Sequence, residues 1–395
     1  MATDFTVDRD TVKYVLNSSG DIASVAIDTP AIEYNTDGTY KGLLVEPAST
    51  NLCLQSEDIN TTWSPNNATP TQSTEETPDG DTSNKYIKLV DDSSGGTGFV
   101  YVQQNITVSG GTKYTASVFL KKDGLDWAAL QAVNTGGADN SPYQFFDLLN
   151  GVTGTGSAGV QAATIEAYPN DWYRCSMTWT QGAGDTSFGF AIVVAEADGD
   201  STVDLDGTSS IFVWGAQVEA SPIATSYIPT TTASVTRNKD DISLTGASDL
   251  IGQSEGTLYV EVDWRLATGT QQRLLSANNG TYTDRVLIYK TTSNVLRMFA
   301  RADGDIKTDQ GVDSSGFSGI QKIAFAYADS DFELYRNGSS ISSDTVGSLA
   351  SLATLTNIDI GQQGLGADLQ ANMWIRAVAL YKTRLTDDQL ADLTS

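Results

Sequence analysis

Gly256-Thr257-Leu258-Tyr259-Val260-Glu261-Val262-Asp263-Trp264 puts Leu258, Val260, Val262 and Trp264 on one side of the chain and Tyr259, Glu261 and Asp263 on the other. That period of two is the signature of a strand with one buried face. Tyr114, Ala116, Val118 and Leu120 repeat it against Thr115, Ser117 and Lys121. Further strands are predicted at 99–106, 188–194, 211–218, 286–289, 295–301 and 322–327, with Gly, Asp, Asn and Ser between them. Short strands at such spacing predict antiparallel sandwiches. Asn337-Gly338, between 333–336 and 339–342, is the pair a type I′ hairpin turn prefers. Helix is expected only at the C-terminus, where Thr386-Asp387-Asp388-Gln389 forms a capping box ahead of Leu390 and Leu393.

The composition agrees. A chain of 395 residues holds two or three domains. With 39% hydrophobic residues, 36 glycines and 9 prolines, it has a thin, spread core and many tight turns. Acidic residues outnumber basic ones 49 to 23, for a formal charge of -26. Such a surface repels nucleic acid and anionic lipid, so neither is expected as a partner. No apolar run is long enough for a membrane span, so no membrane insertion is expected. Met1-Ala2-Thr3-Asp4 opens without a charged and then apolar leader, which predicts synthesis in a host cytoplasm without export by that route. Cys53 and Cys175, the 2 cysteines, are predicted to be buried thiols. Histidine is absent, which removes every Ser-His and Cys-His arrangement.

A Pro/Thr-rich change of composition at 221–250 marks the main boundary. The expected organisation is all-β: a short attachment or oligomerisation segment over 1–47, then two tandem jelly-roll sandwiches over 48–240 and 250–395. The first segment has no core large enough to stand alone.

Gly42-Leu43-Leu44-Val45-Glu46-Pro47-Ala48-Ser49-Thr50-Asn51-Leu52, with Gln55–Asp58 and Trp63 after it, resembles a segment of bacteriophage head-spike, head-fibre and tail-fibre proteins. The resemblance starts at Phe5–Tyr34. It continues through Tyr114–Lys121, Phe146-Asp147-Leu148, Trp172–Cys175 and Val213–Glu219, and reaches Thr225–Thr230. Residues 48–237 also resemble carbohydrate-binding jelly rolls attached to glycoside hydrolases. The second half resembles a concanavalin A-like, laminin G-type sandwich, through Gly256–Trp264, Leu334–Gly338, Ile358–Gly361 and Ala377–Tyr381 with Arg384–Thr386. These resemblances imply a virion surface fibre, spike or decoration protein. Its partners would be other virion proteins of capsid or tail, sister copies in a homotrimer, and host-surface polysaccharide. The rival expectations are a purely structural capsid or tail component and a polysaccharide depolymerase.

Concanavalin-like glucanases carry alternating carboxylates on one strand, and Glu261-Val262-Asp263 begins such a pattern. Arg265 and Leu266 stand where the third carboxylate belongs, so no catalytic residue is expected. Trp63, Trp127, Tyr143 and Tyr282 lie beside polar, loop-like sequence and are the candidate sugar-stacking rings. Trp172, Trp179, Trp214, Trp264 and Trp374 alternate cleanly and are predicted to be core. Asp198, Asp200, Asp204 and Asp206 cluster around glycine turns and are the candidate calcium ligands, although the spacing is not that of an EF-hand.

Overall fold

The computed structural model describes residues 5–137, 139–264, 271–362 and 370–395. It is all-β: antiparallel sheets and, among the described residues, one helix. That helix is neither long nor apolar enough to cross a membrane.

Two six-stranded sheets build the first sandwich. One runs in the order 152–156, 143–147, 127–133, 187–195, 101–107, 64–66, and the other in the order 162–167, 173–180, 113–122, 210–219, 85–91, 68–73. Their inner faces meet through Val102, Leu130 and Ile192 on one side and Ala116, Cys175 and Val213 on the other, all fully buried. Two seven-stranded sheets build the second sandwich around Leu258, Val260, Ile288, Met298 and Phe325. The alternation predicted for 256–264 is realised: Leu258, Val260, Val262 and Trp264 face this core. Asn337 and Gly338 both adopt positive φ, 46° and 81°, as the type I′ turn demands. The terminal helix, Asp387–Thr394, has the expected reciprocal cap between Thr386 and Gln389. Leu390 and Leu393 seat it on Tyr259, Ala324 and Tyr335, on the outer face of the second sandwich. Thr386→Ala removes one arm of that cap and is expected to cost about 1 kcal/mol, read from denaturant unfolding.

The first 47 residues are not a separate segment in this structure. Thr6–Asp8 pairs with Asp241–Leu244 in one sheet of the second sandwich, and Tyr40–Val45 pairs with Met373–Ile375 in the other. Ile32–Tyr34 adds the edge beyond it. The hairpin of Lys13–Leu16 with Ile22–Val25 goes the other way. Its Leu16 and Ile22 cover Phe119, Trp172, Trp214 and Tyr227 on the outside of the first sandwich. The segment lacks a core of its own because its apolar residues complete two others. Residues 241–244 likewise belong to the second sandwich, so that body begins before residue 250.

Where the segment crosses between the sandwiches, five charges are buried together. Asp240 takes Arg9 at 2.8 Å on one oxygen and Lys13 at 2.6 Å on the other. Lys13 also lies 3.0 Å from Glu46, and Arg237 lies 3.5 Å from the same Glu46 oxygen. The backbone N–H groups of Glu46 and Ser226 donate to Asp240 and Glu46 respectively. Burial by itself would raise the pKa of Glu46. Lys13, Arg237 and the Ser226 bonds outweigh it and hold the carboxyl well below the usual carboxylate range. A depressed folded-state pKa stabilises above the unfolded value and is lost as pH falls towards the folded one. The melting temperature is therefore expected to drop below about pH 4, and Glu46→Gln should flatten that drop in calorimetry from pH 7 to 2.

Candidate functional site

On the first sandwich, the sheet that contains 127–133 and 187–195 is apolar on both faces. Ala128, Leu130, Phe190, Ile192 and Val194 point into the core. Ala129, Ala191, Val193 and Ala195 form a separate cluster on the opposite, outward face with Phe145, Tyr101, Trp127 and Tyr143. The antiparallel register places these residues in rows across the strands. Phe145, Ala129, Val193 and Tyr101 make one row, and Tyr143, Gln131, Ala191 and Gln103 make the next.

Each row therefore has an aromatic ring at one or both ends, with Ala129, Val193 and Ala191 between them, and these small side chains leave the sheet hollow along its centre. The resulting groove holds about 510 Å³. Tyr143 and Phe145, edge to face at 5.6 Å, form one wall. Tyr101 and Phe99 form the other, Phe99 being 55% exposed. Gln131 and Gln103 supply donors and acceptors on the floor, and Gly199 and Ser201 form the rim. Gly189 keeps Gln103 in place, because a Cβ there would lie 2.4 Å from the Gln103 amide. Ring walls, a small-residue floor and convergent amides suit a neutral polyhydroxylated ring, which offers C–H faces for stacking and hydroxyls for the amides. Among the described residues that line the groove there is no Asp, Glu, Lys or Arg.

A larger depression of about 880 Å³ lies between the N-terminal strands and 375–380. Ile32, Leu43, Ile375 and Leu380 line it, and its one charge, Arg376, is already paired with Glu261 at 2.9 Å. It offers little to orient a polar ligand.

The sequence candidates fare unequally. Tyr143 lines the groove, and Trp127 packs in the same outward cluster at its end without lining the cavity. Trp63 is a correction: at 4% exposed it sits in the first sandwich's core against Phe190, so it has no ring face to offer a sugar. Tyr282 is 42% exposed but lies on the second sandwich, beside Arg285. Trp172, Trp179, Trp214, Trp264 and Trp374 are all buried.

Of the four candidate calcium ligands, no three of Asp198, Asp200, Asp204 and Asp206 bring their oxygens within 4.8 Å of one another in this structure. Asp198 accepts from Thr155 on the strand 152–156, whereas Asp200 and Asp206 accept from Thr202 and Thr208 two residues on in their own turns. The triplet whose oxygens do converge among the described residues is Asp8, Asp10 and Asp28, all exposed. Cys53 and Cys175 are buried thiols whose acidity burial suppresses. Glu261 is engaged by Arg376 and by the Tyr259 hydroxyl, so it is tied into the strand surface. Arg265 and Leu266 lie outside the described residues.

Fold and groove together define an all-β protein of two sandwiches with an aromatic-walled cleft on one outer face. No protein-family model matches the chain, and no curated protein does. Among solved structures, it is similar to the CBM40 module of a Ruminococcus gnavus IT-sialidase, at 20% identity over 38% of this chain and 87% of that one, with a TM-score of 0.32. It is also similar to the NanB sialidase of Streptococcus pneumoniae, at 15% identity over 39% and 26% of the two chains, TM-score 0.33. A third is a botulinum neurotoxin type C structure titled for cell entry through two ganglioside molecules, at 14% identity over 40% of each chain, TM-score 0.32. Likeness this slight assigns neither ligand nor site to this chain.

Proposed function

We propose that this chain is a non-enzymatic glycan-binding protein of a bacteriophage particle surface, and that it holds neutral sugar rings in the groove between Tyr143/Phe145 and Tyr101/Phe99. The observation that carries glycan binding is the groove itself: an outward sheet face with aromatic walls, a floor of alanine and valine, and two glutamines. The phage assignment rests on the resemblance of residues 1–237 to head-spike and fibre proteins, and the homotrimer rests there too. One shallow groove binds weakly, and many copies on one particle would turn that into firm adhesion through avidity. The strands of residues 5–45 are committed to the two sandwiches, so this stretch would not serve as a free attachment arm. A depolymerase is disfavoured because the groove carries no carboxylate pair and Glu261 is tied to Arg376.

A glycan array probed with the purified chain, before and after Tyr143→Ala, tests this reading. Neutral oligosaccharides are expected to bind, and loss of the Tyr143 ring should weaken them about tenfold. A blank array, with the protein folded, would leave only the purely structural role. Reducing ends released from host capsule would establish the enzyme instead.

A further inference from the structure

The second sandwich concentrates positive charge where a chain of net charge -26 has least of it to spare. On the outward face of its sheet, Arg285 stands directly across from Arg301, and Arg273 and Arg297 flank Tyr289 on the neighbouring strands. Like charges directly opposite one another destabilise a sheet. Arg285 is 7% exposed, and its Nε and Nη1 have no hydrogen-bond partner. Its guanidinium lies 5.1 Å from the Tyr282 ring centre and 5.0 Å from that of Phe299. The Arg301 guanidinium also lies over the Phe299 ring, at 5.6 Å. Among the described residues no carboxylate lies within 4.0 Å of Arg285 or Arg301. The nearby acids are otherwise engaged. Asp309 is held by Arg297 at 3.2 Å and by the Tyr289 hydroxyl, Asp359 by the Asn278 amide, and Asp284 by the N–H groups of Asp303 and Ala353. Burial, then Arg301 and Arg273, lower the pKa of Arg285 to about 10, which leaves it charged at neutral pH.

We propose that this face is a second binding site, in which Arg285 and Arg301 clamp the carboxylate of an acidic sugar beside the ring of Tyr282. A guanidinium fork matches a planar carboxylate in two parallel hydrogen bonds. An anion placed there would relieve the repulsion between the two cations. The strongly negative remainder of the surface disfavours a polyanion, so the ligand is a sugar bearing one carboxylate within an otherwise neutral glycan. Tyr282, 42% exposed, is the aromatic surface for its ring. This site shares no residue with the groove of the first sandwich and stands or falls apart from it.

Calorimetric titration of the whole chain with N-acetylneuraminate, glucuronate, glucose and acetate tests the proposal. At least one acidic sugar is expected to bind, more weakly as salt rises, with glucose and acetate far weaker. Arg301→Met and Arg285→Met, each checked for an unchanged melt, should each lose about tenfold or more in affinity. Should Arg285→Met fail to fold, Arg301→Met alone decides the question. A groove-filling Ala191→Trp variant should bind the acidic sugar as the parent does. No binding of either acidic sugar, acetate binding as tightly, or undiminished affinity in the arginine variants would overturn the assignment.

Discussion

Asp240→Ala is expected to lower the folding stability by about 3–5 kcal/mol, because it leaves Arg9 and Lys13 buried with their shared carboxylate gone. Both cations are fully buried, so water cannot replace what is lost. Lys13 keeps Glu46 and the Leu44 carbonyl, whereas Arg9 keeps only the carbonyls of Thr11 and Ala26. The damage should not stay local. Asp240 also holds the backbone of Glu46, and the same stretch feeds strands into both seven-stranded sheets. Urea unfolding followed by tryptophan fluorescence measures the change, with the exposed turn residue Asp206 as control, where alanine should cost no more than about 0.5 kcal/mol. An Asp240→Ala midpoint that matches the parent would mean that the buried charges do not join the two bodies.

Ala191→Trp is expected to remove binding of neutral glycans to below detection while leaving the melt nearly unchanged. Ala191 lies in the middle of the groove floor, between Gln131 and Gln103 in the row that Tyr143 ends. Its Cβ faces outward, so an indole there grows into the open groove of about 510 Å³ and not into the packed core. The overpacking cost that a core position would suffer, about 1–3 kcal/mol, is thereby largely avoided. The indole would also occupy the surface a sugar ring needs. Glycan binding that survives this substitution would place the ligand elsewhere on the molecule.

How much of this was readable in the sequence depended on how local the signal was. Strand alternation at 258–264, the Asn337-Gly338 turn and the Thr386 cap are encoded within a few residues, and the structure reproduces each. At 114–120 the expected residues face the core, but Thr115, Ser117 and Phe119 on the opposite face are buried as well. The role of residues 5–45 was not readable, because it depends on pairings such as Leu43 with Ile375 and Val7 with Ile242, which no local pattern announces. Trp63 misled for a similar reason: polar neighbours in sequence do not show that a loop residue turns inward on Phe190. Asp200 and Asp206 accept from N–H and hydroxyl groups two residues on, the ordinary use of aspartate in a turn, which the sequence alone does not separate from a ligand cluster.

Of the groove, only Tyr143 was picked out directly, with Trp127 at its end. Phe99, Tyr101, Gln103, Gln131 and Phe145 were missed, although one signal was available. The strands Trp127–Val133 and Ser187–Ala195 carry small apolar residues at the positions facing away from the core, where an ordinary exposed face would carry charge. Arg285 and Arg301 could not have been paired from sequence, since their opposition is a matter of register.

The most direct test of the central claim is a crystal structure of the chain with the neutral oligosaccharide that binds best on the array. A sugar ring is expected over Ala129, Ala191 and Val193, between Tyr143 and Tyr101, with its hydroxyls within hydrogen-bond distance of Gln103 and Gln131. An oligosaccharide bound anywhere else, with this floor bare, would contradict the account.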